Sequence, residues 1–280
     1  MPTGTQGKGS AMNATSNNDR ENALPLAGRH AVVTGAGSGI GEAIALELAR
    51  LGATLTLLGR RPAPLEATLA KLTGEGHGVA VADITDLAGV SAAIEAAAAA
   101  RGAVAILVNN AGAAKSAPVT KTTPELWQEM LTVNLTGTFN CTHAVLPGMQ
   151  AARWGRIVNI ASTAGLIGYG YVSAYCAAKH GVIGFTRAVA LEVAKQGITV
   201  NAVCPGYTDT PLLGGAVDNI VAKTGRSADE AKTTLAASNP QGRLVQPEDV
   251  AAAVGWLCLP SAAAIHGQAV PVAGGEVMAG

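Results

Sequence analysis

His30-Ala31-Val32-Val33-Thr34-Gly35-Ala36-Gly37-Ser38-Gly39-Ile40-Gly41 decides the fold of this chain. Ala31-Val32-Val33 is apolar without alternation, the pattern of a parallel strand covered on both faces. The glycines behind it let the backbone turn tightly, and a helical period over 39–51 begins directly at the end of the turn. Such a strand, turn and helix present free N–H groups and the positive end of a helix dipole, which suits the pyrophosphate of a dinucleotide. The bland alternative is a tight βα turn with no ligand. A nucleoside-triphosphate P-loop is excluded, because no Gly-Lys-Ser/Thr follows.

Moving outward, the same alternation continues. Further strands are expected at 54–58, 78–82, 104–108, 156–160, 199–203 and 268–272, making seven with His30–Thr34. Helices are expected near 39–51, 62–73, 86–101, 123–150, 174–196 and 247–258. Asp86 reads as the cap of the third, and Thr123-Pro124-Glu125 supplies a cap, a first-position proline and an early acid. Right-handed crossovers then predict an α/β fold: one doubly wound, parallel seven-stranded sheet with helices on both faces. Residues 207–245 break the rhythm, with one weakly helical, charged piece around 218–237. Excursions at the carboxyl ends of strands stand over the ligand crevice, so this one is read as a substrate lid within a single domain spanning 26–280. Residues 1–25, rich in Gly, Ser, Thr, Asn and Gln and without periodicity, read as a disordered leader.

Composition excludes several function classes. Nineteen Lys+Arg balance nineteen Asp+Glu in 280 residues, and no dense basic run is present, which argues against nucleic acid as a partner. Mean hydropathy is +0.30, but much of that apolarity is alanine. Glu95 and Arg101 interrupt the greasiest run, leaving no segment of the ~18 apolar residues that a spanning helix needs. The four cysteines, Cys141, Cys176, Cys204 and Cys258, are far apart with no C-x-x-C pair, so neither a disulfide framework nor a metal site is expected and a reducing, cytoplasmic setting is.

The expected nucleotide-binding residues follow the strand ends. Gly35, Ser38, Gly39, Ile40 and Gly41 would cradle the pyrophosphate. After the second strand stands Gly59-Arg60-Arg61, where an acid would read an adenosine 2′-hydroxyl; two guanidiniums there favour NADP(H), with NAD(H) as the alternative. Asp83, with Ile84 beside it, reads either as an acceptor for the adenine amino group or as a helix cap. Asn109, Ala111 and Gly112 would border the middle of the cofactor. Pro205, Gly206, Thr208 and Thr210 form a stiff loop beside the nicotinamide.

Tyr175 and Lys179 are four residues apart in an expected helix, so they share a face. A phenol near its ordinary pKa of about 10 is a poor base at neutral pH, and a neighbouring ammonium would lower it. Packing on a helix face is the commoner use of such a pair. Ser162, at the carboxyl edge of the fifth strand, is placed to donate to a substrate carbonyl. Asn134, a polar residue in an otherwise apolar helical pattern, reads either as a backbone partner or as the holder of a relay water.

Together these residues resemble the short-chain dehydrogenase/reductase family, from about residue 26 to the C-terminus. Thr34-Gly35-x3-Gly39-x-Gly41, Asn109-Asn110-Ala111-Gly112, Asn134, Ser162, Tyr175-x3-Lys179 and Pro205-Gly206 match its motifs in order. The resemblance implies a Rossmann-type fold and metal-free hydride transfer between nicotinamide and a secondary alcohol or ketone. It implies Tyr175 as general acid/base, Lys179 on the nicotinamide ribose, Ser162 on the carbonyl and Asn134 on the relay water. Residues 178–186 and 203–206 look like segments of 3-oxoacyl-thioester reductases, 3-hydroxybutyrate dehydrogenases and aromatic polyketide ketoreductases. A CoA- or carrier-linked 3-oxoacyl substrate is the resulting expectation, with lid cations Lys223, Arg226 and Lys232, and Arg243 at the lid's exit, as candidates for its phosphates. The alternatives are an NAD-dependent dehydrogenase of a small hydroxy acid or aryl alcohol, and a nicotinamide-sensing protein without chemistry. The resemblance also implies a homotetramer built on the helices 123–150 and 174–196, with the small, apolar stretch 270–280 suited to a second subunit contact.

Overall fold

The computed structural model describes Met1 and residues 24–278. The expected leader therefore lies, but for its two ends, outside the described residues. The elements run β1 His30–Thr34, α1 Gly39–Arg50, β2 Thr54–Gly59, α2 Pro62–Leu69, β3 Gly78–Val81, α3 Leu87–Arg101, β4 Val104–Asn109, α4 Pro124–Leu131, a π-helical turn Thr132–Thr136 and α5 Gly137–Ala152. They continue with β5 Gly155–Ile160, α6 Ser173–Val193, β6 Ile198–Pro205, α7 Pro211–Thr224, α8 Ala228–Ala236, α9 Pro247–Cys258 and β7 Ala269–Val272. The sheet order is β3-β2-β1-β4-β5-β6-β7 with every pairing parallel, the expected doubly wound sheet.

Successive strand residues point to opposite faces, and here both faces are covered. Val33, Leu57, Ile106 and Val158 pack under Ile44 and Leu48 of α1 and Val250 and Val254 of α9. Their neighbours Val32, Leu107, Ile157 and Val200 pack against Val90 and Ile94 of α3, Val145 of α5 and Val189 and Val193 of α6. Two-sided burial explains why β1 and β4 read as continuous apolar stretches, Ala31–Val33 and Val104–Val108. None of the described helices is long and apolar enough to cross a membrane.

Strand order reverses between β1 and β4, and there the carboxyl ends part to leave a crevice. A side-chain seam holds the two strands at that point. The Thr34 hydroxyl accepts the backbone N–H groups of Asn110 and Ala111, each at 3.0 Å, and the Asn110 amide donates back to the Thr34 carbonyl at 2.9 Å.

Two expectations are corrected. The helix expected over 123–150 is interrupted by the π turn, because the Asn134 amide donates both to the Met130 carbonyl one turn back, at 3.0 Å, and to Ala113 outside the helix, at 2.9 Å; diverting the ladder in this way widens the turn. The excursion 207–245 holds two helices where one weak piece was expected. Pro211 occupies the first turn of α7, and Ser227 with Glu230 forms a capping box that starts α8. Both helices bury small apolar faces in a cluster of their own, formed by Leu213, Val217, Ala231, Ala236 and Leu244. A single parallel bridge, Thr208 to Val245, closes the excursion at its base.

Thr34→Val keeps the side-chain shape but leaves two backbone N–H groups without an acceptor. At roughly 1–3 kcal/mol per buried unsatisfied donor, urea unfolding is expected to show a loss of about 2–6 kcal/mol; an unchanged midpoint would dismiss the seam.

Candidate active site

Two adjoining cavities open at the carboxyl edge of the sheet. The first, about 450 Å³, is lined by the glycine loop, Arg60, Arg61, Asp83, Ile84, Ala111 and Gly112. The second, about 810 Å³, is lined by Asn134, Ser162, Tyr175, Lys179, Pro205, Gly206 and Thr208. Ile40, Gly112 and Thr210 border both. Both volumes fall in the range of ligand sites.

In the first cavity the loop conformation requires glycine. Gly35 and Gly39 have φ of +66° and +57°, and a Cβ on Gly41 would run into the Gly35 carbonyl oxygen. Ser38 sits extended at the start of α1 with no side-chain cap on the helix, so the first-turn N–H groups keep their donors for an anion. This cradle fits a dinucleotide pyrophosphate. Arg60 and Arg61 are exposed at the end of β2. Arg60 lies 3.9 Å from Asp83, whose carboxyl is held below its ordinary range by the Thr85 N–H and hydroxyl, with Arg60 adding to the effect. Asp83 is not the helix cap; Asp86 caps α3.

Asn109, expected to border the cofactor, is a further correction. It lines neither cavity and is 4% exposed, donating to Thr142 at 3.0 Å and to Asn159 at 2.8 Å. Asn159 in turn donates to Thr186 at 2.9 Å, so a buried polar chain joins α5, β4, β5 and α6. The strand alternation that aims Asn109 into this layer turns its motif neighbour Asn110 toward the glycine loop.

In the second cavity α6 brings Tyr175 and Lys179 to one face, with the ammonium 5.6 Å from the ring centroid. Lys179 donates to the Ile160 carbonyl at 2.8 Å. The π turn delivers Asn134, and Gly112 lets it approach: a Cβ there would lie 2.7 Å from Asn134 Oδ1 and 3.7 Å from Lys179 Nζ. Ser162 stands at the end of β5, accepting from the Ala164 N–H at 3.1 Å. Burial dominates both titrating groups. It pushes Tyr175 up to about 12, against the pull of the Ser162 hydroxyl, and Lys179 down to about 8. The expected lowering of the phenol by the ammonium is not what the site shows: desolvation, which penalises the charged form of each group, sets both shifts, and the contact that opposes it at the phenol is Ser162.

Of the basic side chains expected near a carrier's phosphates, Lys223 lines the second cavity. Lys232 pairs with Asp209, Arg243 with Asp249, and Arg226 donates to Thr234. Sequence reasoning also missed Tyr169, Tyr171 and Tyr207, which line this cavity. The scarcity of tyrosine, four in 280 residues, was the available signal.

A family profile described as short chain dehydrogenase matches residues 29–220. The chain belongs to the short-chain dehydrogenase family. It is similar to granaticin polyketide synthase putative ketoacyl reductase 1 of Streptomyces violaceoruber, 44% identical over 249 residues, 88% of this chain and 92% of that protein. It is 39% identical to D-beta-hydroxybutyrate dehydrogenase of Cupriavidus necator over 90% of this chain and 99% of the relative. Among solved structures, actinorhodin polyketide ketoreductase with NADPH superposes with a TM-score of 0.85 at 40% identity, covering 89% of this chain and 97% of that one. As a member of this family the protein is an oxidoreductase that uses a nicotinamide cofactor and acts on alcohol and ketone groups.

Burying Lys179 costs this short-chain dehydrogenase stability. Its folded pKa lies below the ordinary 10.5, so the unfolded chain binds more protons between about pH 8 and 10.5 and the penalty fades as pH rises through that window. Lys179→Met is expected to be more stable than wild type by about 1–3 kcal/mol at pH 7, after the loss of one hydrogen bond. That margin should shrink toward pH 10 in parallel urea titrations; a variant less stable at pH 7 would refute the assignment.

Proposed function

We propose that this enzyme reduces 3-oxoacyl thioesters with NADPH. The observation that carries the reading is the convergence of Tyr175, Ser162, Lys179 and Asn134 on one large cavity beside a glycine cradle flanked by Arg60 and Arg61. The ketoacyl reductase relatives support the substrate class, and the NADPH in the neighbouring structure supports the cofactor.

In this reading Arg60 and Arg61 hold the adenosine 2′-phosphate by charge-assisted hydrogen bonds, and the first turn of α1 holds the pyrophosphate. Asp83 and Ile84 border the adenine, and Pro205, Gly206, Thr208 and Thr210 the nicotinamide end. When bound, the nicotinamide supplies hydride at the carbonyl carbon. Ser162 donates a hydrogen bond to the carbonyl oxygen, and Tyr175 gives that oxygen its proton. A phenol raised to about 12 is fully protonated at neutral pH, the form that reduction requires. Lys179 holds the nicotinamide ribose and, with the water positioned at Asn134, returns a proton to Tyr175. α7 and α8 cover the substrate as a lid, with Lys223 toward the carrier's phosphates.

A second reading, oxidation of a small 3-hydroxy acid with NAD, is favoured by the hydroxybutyrate dehydrogenase relative and by the Asp83 carboxylate near Arg60. The enzyme works in the cytoplasm as a homotetramer. The exposed apolar Phe139 of α5 and Leu191 of α6 supply area for a contact built on the two long helices.

Tyr175→Phe is expected to lower kcat for 3-oxobutanoyl-CoA by about 10²–10⁴, the range of a lost general acid, with the dissociation constant of NADPH unchanged by fluorescence titration. Replacing Arg60 and Arg61 together by Ala is expected to raise the KM for NADPH by about 10- to 100-fold, from charge-assisted bonds of roughly 1.5–3 kcal/mol, leaving NADH unaffected. Equal effects on both cofactors would favour the second reading.

A further inference from the structure

All four tyrosines of a chain that is only 3% aromatic line the substrate cavity. One is the proposed acid. Two others form a built wall: Tyr169, from the segment between β5 and α6, meets Tyr207, which follows β6, edge to face with ring centroids 6.1 Å apart. Their positions are set from a third part of the chain. Glu276, beyond β7, accepts a hydrogen bond from the Tyr169 hydroxyl at 2.8 Å. The Thr163 hydroxyl, 2.8 Å from the phenol oxygen, occupies its other side. The second carboxylate oxygen of Glu276 packs on Gly206, where an added Cβ would lie 2.9 Å away. Glu276 makes no ion pair among the described residues. One carboxylate thus touches both segments that carry the aromatic wall.

We propose that Glu276 is a positioning residue which fixes Tyr169 and the Gly206–Tyr207 turn as a rigid aromatic wall, so that the cavity prefers 3-oxoacyl groups bearing a planar aryl substituent over the smallest alkyl ones. The inference rests on the 3-oxoacyl reading above and deepens it. An edge-to-face pair held by a hydrogen bond presents ring surface that a flat substituent covers well and a methyl group barely touches. Neither ring of the wall is a donor to the reacting carbonyl in the reading above, so the wall acts on binding and leaves the chemical step alone.

The test uses two N-acetylcysteamine thioesters that differ in one group, 3-oxobutanoyl and 3-oxo-3-phenylpropanoyl. Dissociation constants on the NADP⁺-loaded enzyme are measured by calorimetry, and kcat and KM with NADPH. Glu276→Ala and Tyr169→Phe are each expected to raise Kd and KM for the phenyl thioester by about three- to tenfold, the range an aromatic contact carries. The methyl thioester and both kcat values should stay within about twofold, and the double variant should add little to either single one. Glu276→Gln keeps an acceptor for the phenol and should stay near wild type. Equal losses on both thioesters, a fall in kcat with KM unchanged, additive single effects, or wild type binding neither compound would each overturn the inference. Binding of the phenyl thioester without reduction would overturn the assigned reaction and leave the wall intact.

Discussion

Two backbone N–H groups held by one hydroxyl govern this molecule. At the place where strand order reverses, β1 and β4 would part freely beyond Thr34 were Asn110 and Ala111 not tied to its side chain. The seam sets how wide the crevice opens and brings Asn110 against Gly35, so the glycine loop and the loop after β4 share one wall. Both cavities border that wall, which is why the two meet at Gly112. A parallel sheet with both faces covered takes its ligand at the carboxyl edge, where the helices that follow the strands turn their free N-terminal N–H groups into the crevice.

Burial then does the electrostatic tuning. Tyr175 and Lys179 are taken out of water together, and each is driven toward its neutral form. At neutral pH the phenol is protonated, and the ammonium, brought down to about 8, gives up its proton more readily than a solvated lysine does. The cost is a lysine buried without a carboxylate partner, tolerated where the fold is most needed for chemistry and least needed for stability.

The fold was legible in the sequence because short runs rich in β-branched and apolar residues, separated by helical periods, admit few arrangements. The cradle was legible because Gly35, Gly39 and Gly41 follow a strand. Legibility failed where one residue serves a partner distant in sequence. Asn109 stands in a run of polar residues at a strand end and looks like a cofactor neighbour, yet strand alternation turns it inward to Thr142 and Asn159. The helix over 123–150 looks continuous because its interruption comes from Ala113, twenty-one residues before Asn134. The lid's two helices looked like one, since their apolar faces are short and complete each other only when packed.

By itself the sequence determined the strand and helix order, the nucleotide cradle and the helical pairing of Tyr175 with Lys179, all of them local patterns whose physics spans one strand, one turn or one helical turn. The tertiary structure alone decided which asparagine serves the crevice, which lid cation reaches the cavity, how far burial shifts the phenol and the amine, and that Glu276 stands beside Tyr169 and Gly206. Each of these depends on distances between segments dozens of residues apart, and those distances exist only once the sheet has assembled and excluded water from between them.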